Sequence, residues 1–225
     1  MKIAVCVPCG DMIHTEFVMS LLGMQLAMYT HPVDEDQDIN VYFHRSSILI
    51  KSRQDLVKQA LDGGADWILW LDSDMAFPPD ALHRLLGRGK DIVGCNYVTR
   101  TIPTKPVAAN KDRIYIRTDP DSSGLEEAEW TGFGCLLVNA DIYRNLELPW
   151  FDFVWLENAD DIMGEDVFFF KKAKHFLGKQ LYIDHDLSQM IRHIGQFEYH
   201  NRLALATLED YKARGESLEG IENVK

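Results

Sequence analysis

The chain has 225 residues, 46% hydrophobic and 26% charged, which is enough for one domain with a substantial core and ordinary for a soluble globular protein. The formal net charge of −12 argues against a large surface that grips nucleic acid. No apolar run approaches the roughly 20 residues that cross a bilayer, and the beginning, MKIAVCVPCGD, does not read as a signal peptide, so we expect a cytoplasmic protein.

Strand and helix patterns alternate along the first 94 residues. Apolar runs predict strands over 2–7, 39–43, 67–71 and 91–94. Apolar residues at helical spacing predict helices between them, over 15–29, 48–61 and 79–86. A β-α-β-α-β-α-β series predicts an α/β fold with a mostly parallel sheet flanked by helices, which binds ligands beyond the carboxyl ends of its strands.

The pattern is looser after residue 95. Residues 96–124 are rich in turn and basic residues and predict a long loop or hairpin with one strand over 113–117. A strand over 130–139, a helix over 166–177 and a strand over 180–183 follow. We expect one domain over 1–196, and over 197–225 a C-terminal helix at 203–212 with a mobile tail, packed on the same domain.

The stretch DWILWLDSDMAFPPDAL, residues 66–82, carries the strongest chemical signal. Its apolar run is typical of a central strand, so Asp72 and Asp74 lie at the strand's carboxyl end with Ser73 between them. In extended geometry both carboxylates point to one side, where their repulsion favours a hard cation such as Mg²⁺ or Mn²⁺. The alternative is a turn in which Asp74 or Asp80 only starts the next helix.

This stretch is similar to the D-x-D strand of GT-A-fold glycosyltransferases, especially small ones from bacteriophage and bacterial genomes. Further segments resemble that family in order over residues 2–196: IAVCVPCG, KSRQDLVKQAL, DIVGCNYVTR, TGFGCLLV, GEDVFFFKKA and RHIG. The resemblance implies a Rossmann-like GT-A sheet with a small antiparallel element. It also implies Mn²⁺- or Mg²⁺-dependent transfer of a sugar from a nucleotide-diphosphate donor, such as a UDP-sugar, to a hydroxyl of a glycan, a small molecule or a modified nucleic-acid base.

The resemblance also implies a set of metal ligands. Asp74 would bind the metal directly, and Asp72 would contact the ribose or bind the metal through water. His193, in RHIG, would be the third protein ligand. His185 and His200 are nearby competitors for that role.

Other residues are candidates for donor binding. By the resemblance, the backbone from Pro8 to Gly10 would accept the nucleotide base, and Arg53 would reach the base or the diphosphate unless it lies on a solvated helix face. Ser73 joins this set. Arg100 could reach phosphate or sugar hydroxyls, and Gly132 and Gly134 would let the donor approach the backbone unless they only form a tight turn.

The GEDVFFFKKA segment offers a catalytic base. Glu165 and Asp166 lie at the start of a helix, where the backbone dipole favours negative charge, although helix capping alone would also use them. The acceptor hydroxyl has to lose a proton as it attacks. Since the second acid is the usual base in inverting members of the family, Asp166 is the expected base and Glu165 the alternative.

Three other functions are alternatives to a glycosyltransferase. Cys6 and Cys9 form a C-x-x-C pair, as in thiol oxidoreductases. A sugar-phosphate nucleotidyltransferase would share the sheet and the aspartates, but PCGDMIHTE lacks the glycine-rich basic loop such enzymes need. A catalytically silent sugar-nucleotide-binding module would keep the fold without turnover.

Overall fold

The computed structural model describes residues 1–156, 161–195 and 198–202, together with 209 and 213. The strands of this part are Lys2–Cys9 (β1), Asp38–Arg45 (β2), Trp67–Leu71 (β3), Met75–Ala76 (β4), Ile92–Gly94 (β5), Leu125–Ala128 (β6), Cys135–Asn139 (β7), Val154–Leu156 (β8), Asp161–Met163 (β9), Leu181–Asp184 (β10), Arg192–Ile194 (β11) and Glu198–Tyr199 (β12). The α-helices are Thr15–Thr30 (α1), Leu49–Asp62 (α2), Ala81–Gly87 (α3), Ala140–Asn145 (α4), Glu165–Leu177 (α5) and His185–Ser188 (α6).

The central sheet has seven strands in the order β2-β1-β3-β7-β5-β10-β6. Five of them run in one direction, and β7 and β6 are antiparallel to their neighbours. The expected α/β class with a mostly parallel sheet is therefore confirmed. The small antiparallel element is confirmed as well, as a β12-β11-β4 sheet and an antiparallel β8-β9 pair.

Helices cover both faces of the sheet. Along β3, Ile68 and Trp70 point into a core shared with α2, α4 and α5, while Leu69 and Leu71 point into a second core shared with α1, α3 and α6. A strand buried on both faces has to be apolar throughout, which explains the WILWL run. Because β1, β3 and β5 run in the same direction, their carboxyl ends lie at the same edge of the sheet.

The first of these cores is rich in aromatic residues. Trp70 makes edge contacts with Phe133 and Phe151, and its Nε1 donates to the Tyr143 hydroxyl at 2.9 Å. Pairs of this kind add to the stability gained from burying their area. The core fixes the position of β3 and of the loop before β7, two segments that border the site described below.

One local prediction is wrong. Residues 113–117 form no strand, and Tyr115 makes only an isolated bridge to Ala109. The predicted helix over 15–29 is present as α1, with Phe17, Leu21, Met24 and Met28 in the core and Leu22 and Leu26 exposed.

The C-terminal prediction falls mostly on residues that the structure does not describe. Of the expected helix over 203–212, only residue 209 is among the described residues, and the expected tail after it contributes only residue 213. The division into 1–196 and 197–225 stays a prediction. Within the described part of the chain, no helix is both long and apolar enough to cross a membrane.

Candidate functional site

A tight turn at the carboxyl end of β3 carries the two aspartates. The Met75 N–H donates to the Asp72 carbonyl at 3.1 Å, and the Asp72 N–H donates to the Gly134 carbonyl at 3.3 Å. The chain therefore turns at Ser73 and Asp74 instead of continuing in extended geometry. Asp74 does not cap the next helix, because α3 begins only at Ala81 with Asp80 before it.

The short strand β11 brings His193 to this turn. β11 pairs with β4, so that His193 lies opposite Met75, and the Ile194 N–H donates to the Asp74 carbonyl at 2.7 Å. His193 Nδ1 donates to the Val98 carbonyl at 2.8 Å. In the neutral ring, Nε2 then presents a lone pair 3.4 Å from Asp74 Oδ2.

Asp74 carries a second contact, to a cation from the loop after β5. Arg100 Nη1 lies 3.0 Å from Asp74 Oδ2, and the Arg100 side chain is about half exposed. Burial alone would raise the pKa of Asp74. A protonated His193 ring, which donates to Asp74 and attracts its charge, and the charge of Arg100 together outweigh burial and lower that pKa below its usual value. Asp74 is therefore a fixed negative charge at neutral pH.

The donor set of Asp74 and His193 fits a divalent cation. Two acceptor atoms that face each other at 3.4 Å are better satisfied by a metal than by one another, and the Val98 carbonyl supplies the outer partner typical of a metal-binding histidine. In the described ranges, however, no group of three or more His, Cys, Asp and Glu could hold a metal. The residues therefore fit an ion that takes its remaining ligands from water and from a phosphate-bearing ligand.

A cleft of about 350 Å³ lies over the turn. Its lining contains the predicted residues Pro8, Gly10, Asp72, Ser73, Asp74, Arg100 and His193. Cys9, within the predicted backbone segment from Pro8 to Gly10, lines it as well. The cleft also contains residues that sequence reasoning missed, namely Ser46, Ser47, Leu49 and Ser52. Residues 46–49 could have been predicted from their position, because they follow the carboxyl end of β2, where ligands of parallel sheets bind.

Arg53 lies beneath this cleft and not on a solvated helix face. Its side chain is 4% exposed, with Nη2 3.7 Å from Asp72 Oδ1 and Nη1 3.3 Å from Glu165 Oε1. The guanidinium also lies 4.4 Å from the centre of the Phe133 ring. Arg53 thus links the aspartate turn to the start of α5.

Glu165 and Asp166 begin α5 with different surroundings. Glu165 is buried and faces Arg53. Asp166 is less buried, and its Oδ1 accepts from the Val167 N–H at 2.7 Å. Burial, and then the neighbouring Glu165, raise the pKa of Asp166 above its usual value. A raised pKa makes the ionised Asp166 a stronger base than an ordinary carboxylate.

Tyr97, on the loop after β5, is a further residue of the site. The phenol is buried, its hydroxyl accepts from the Gly134 N–H at 3.0 Å, and its ring meets the His193 ring edge-on at 5.4 Å. A side chain at Gly132 would overlap the Tyr97 hydroxyl, and one at Gly134 would come within 2.8 Å of it. The space over the two glycines is therefore occupied by Tyr97.

The competing histidines lie in other surroundings. His185 is buried, with Nδ1 3.0 Å from Thr118 Oγ1 and Nε2 3.0 Å from Glu126 Oε2, so both ring nitrogens are engaged. His200 lines a separate cavity of about 500 Å³ together with Asn201. His193 is the histidine that lines the cleft at the aspartate turn.

The C-x-x-C pair does not have the properties of a redox motif. Cys6 is buried and its thiol lies 3.8 Å from the Leu56 carbonyl. Burial raises the pKa of both Cys6 and Cys9. Reactive cysteines need a lowered pKa, so these surroundings argue against thiol chemistry.

Comparisons with known proteins add to the description of the fold. No family model matches the chain, and no curated protein does either. The structure is similar to the crystal structure of A197 from STIV, with a TM-score of 0.55, 17% sequence identity and coverage of 87% of each chain. It is also similar to S. aureus TarS 1–349 in complex with UDP-GlcNAc, with a TM-score of 0.47 and 12% identity, covering 83% of this chain and 56% of that one. The first likeness concerns the fold, and the second is too distant to carry an argument about this chain.

Proposed function

We propose that the protein is a metal-dependent glycosyltransferase that moves a sugar from a nucleotide-diphosphate donor to a hydroxyl acceptor. The observation that carries this proposal is the convergence of Asp72, Asp74, Arg100 and His193 on one cleft at the carboxyl ends of parallel strands. These residues come from three distant segments of the chain. Their types match a ligand that bears phosphate and is held with a cation.

The cleft offers separate surfaces for the parts of the donor. The backbone from Pro8 to Gly10 and the Ser46–Leu49 segment would accept the nucleoside, and Asp72 or Ser73 would reach the ribose. Arg100 would contact the diphosphate in exchange for its present contact with Asp74. A Mn²⁺ or Mg²⁺ ion held by Asp74 and His193 would neutralise charge on the leaving diphosphate. Arg53 supports this arrangement from below by fixing Asp72, and a direct contact with the donor stays a prediction.

Asp166 is the proposed base. The acceptor hydroxyl has a pKa far above neutrality, so a carboxylate with a raised pKa removes its proton more effectively than an ordinary one. Glu165 is held against Arg53, which supports a positioning role for it and leaves Asp166 as the expected base. A single base acting on the acceptor corresponds to an inverting reaction.

The proposal is tested by titrating the protein with UDP-, GDP-, CDP- and TDP-sugars in calorimetry, with and without Mn²⁺, and by measuring release of nucleoside diphosphate. We expect one donor to bind in a Mn²⁺-linked manner and to be hydrolysed slowly without an acceptor. Asp74→Ala should weaken donor binding at least about tenfold. Asp166→Asn should keep the donor affinity and lower turnover by about 10²- to 10⁴-fold.

Two carboxylates outside the cleft serve as matched controls. Asp80→Ala removes a half-exposed aspartate that pairs with Arg84, and Asp161→Asn removes an exposed one on β9, so both should leave donor binding and turnover unchanged. Absence of Mn²⁺-linked affinity for every donor would contradict the proposal. Tight binding without any release would instead identify a silent binding module, and normal turnover of Asp166→Asn would eliminate Asp166 as the base.

A further inference from the structure

Helix α1 is apolar on two opposite sides. Its inner side packs Phe17, Leu21, Met24 and Met28 into the core. A second set of large apolar side chains is exposed on α1 and the residues next to it, and we call this set the outer stripe: Met12 (84% exposed), Val18 (38%), Met19 (65%), Leu22 (55%), Leu26 (62%), Tyr29 (86%) and Val33 (51%). Apolar side chains on two opposite sides of a helix are typical of one that is covered on both of those sides.

The spacing of the outer stripe is that of a helix-packing seam. Met19, Leu22, Leu26 and Tyr29 follow one another at steps of three, four and three residues. This a/d pattern is the one by which paired helices interlock side chains. The helix has 16 residues and is therefore about 24 Å long, enough for a seam of several turns.

The size of the outer stripe exceeds what isolated monomers usually expose. From the exposed fractions, its apolar area is on the order of 800 Å², which is close to what each partner contributes to a standard protein interface. The largest apolar patch of a typical monomer is about 300–600 Å². The stripe is thus large enough to form a stable interface by itself.

The charge distribution selects the partner. Residues 17–33, which hold the whole outer stripe except Met12, contain no Asp, Glu, Lys or Arg, although the whole chain has a net charge of −12. Helices that lie on membranes carry Lys and Arg beside their apolar face, and an acidic protein is repelled by anionic lipid. Two copies of an acidic protein also repel each other, except where both present an uncharged surface. A twofold axis brings the same patch of both copies together, so the uncharged stripe of one copy can face that of the other.

We propose that the outer stripe of α1 is a homodimer interface, in which it packs against the same stripe of a second copy. The stripe ends beside the edge strand β2, where Gln25 and Tyr29 line a shallow hollow of about 350 Å³ with Asp38 and Ile39. The hollow can receive a side chain of the partner. This inference is independent of the proposed transferase activity.

The test is sedimentation equilibrium of the full chain over a range of micromolar concentrations. We expect the wild type to have twice the 25.8 kDa mass of one chain. Leu22→Glu and Leu26→Glu should each raise the dimer dissociation constant at least about tenfold, because a charge would be buried against apolar side chains. Leu26→Ser should do so less strongly, and it provides a neutral variant should a glutamate disturb folding.

Phe176→Glu is the matched control, since Phe176 is a 66% exposed apolar residue on another helix, and it should leave the dissociation constant unchanged. A wild type that is monomeric throughout the range would overturn the proposal, as would an equal shift in Phe176→Glu and Leu22→Glu. Flotation of the wild type, but not of Leu22→Glu, with neutral phosphatidylcholine vesicles would overturn it in favour of a lipid surface.

Discussion

At the scale of single residues, Arg53 is the most consequential buried charge of the site. It is 4% exposed and faces carboxylates of Asp72 and Glu165, while its Nε and Nη1 donate no hydrogen bond to any described residue. Removing the Arg53 guanidinium leaves the carboxylates of Asp72 and Glu165 together in a poorly solvated space without a positive charge. We expect Arg53→Met to lower the free energy of unfolding by about 3–5 kcal/mol, as measured by urea denaturation, because unpaired buried charges are costly.

Arg84→Met is the control for this prediction. Arg84 pairs with Asp80 on the surface of α3, and exposed pairs of this kind contribute about 0–1 kcal/mol. Arg53→Met with Glu165→Gln should recover part of the lost stability, because one of the two carboxylates is then neutral. Equal losses in Arg53→Met and Arg84→Met would show that the buried contacts contribute little.

Asp166 gives a pH dependence of known sign. Because its pKa is raised in the folded protein, the native state binds more protons than the unfolded state between the ordinary carboxyl pKa of about 4 and the raised value. Its contribution to stability therefore falls as the pH rises through that window. We expect Asp166→Asn to raise the melting temperature at pH 7, and the gain to shrink as the pH approaches 4.

Asp186 supplies the opposite case. Hydrogen bonds from Arg88 and from the Gly124 N–H lower the pKa of Asp186. Its stabilising contribution is present above the ordinary carboxyl pKa and is lost as the pH falls through the lowered one. Asp186→Asn should therefore lower the melting temperature at pH 7. A decrease for Asp166→Asn as well would contradict the assigned direction at Asp166.

At the scale of elements, the sequence predicts those segments whose pattern is long and local. β3 and α5 are examples, since WILWL is apolar throughout and the core residues of α5 recur at helical spacing. β4 and β11 have only two and three residues, too few to show a hydrophobic period. They form because they pair with each other, although about half of the chain separates them in sequence. The antiparallel direction of β7 depends equally on its neighbours β3 and β5.

The loop before β7 shows how such an element positions the site. Gly132 lies against the Tyr97 phenol, so a methyl group there forces the ring away from its contacts with Gly134 and His193. We expect Gly132→Ala to cost about 1–3 kcal/mol of unfolding free energy, the usual cost of overpacking. Gly87→Ala, in α3 with open space around its Cβ, should be neutral or stabilise by up to about 1 kcal/mol, as thermal denaturation can show. Equal effects of the two substitutions would exclude a steric role for Gly132.

At the scale of the whole molecule, the candidate site combines segments that sequence patterns alone could not join. The sequence alone predicts that the aspartates of the β3 turn belong to a site, because two carboxylates directly follow a strand that is apolar throughout. His193 was proposed from the resemblance, since no periodicity connects it to Asp74. Ser46 follows the carboxyl end of a predicted strand but carries no motif of its own, and the pairing of β2 with β1 brings it to the cleft.

The distribution of charge over the molecule also limits the acceptor. Of the five basic residues between 100 and 117, Arg100 pairs with Asp74 and Arg117 with Asp119. The other three are Lys105, Lys111 and Arg113, and with all of them counted the chain still has a net charge of −12. We expect the protein to bind duplex DNA with a dissociation constant weaker than about 10⁻⁴ M at physiological salt, as measured by fluorescence anisotropy. Transfer to a glycan or small-molecule acceptor should then depend little on salt. Binding of DNA in the range of about 10⁻⁴–10⁻⁶ M, with a steep loss on adding salt, would instead favour a modified DNA base as the acceptor, because release of counterions would have to overcome the acidic surface.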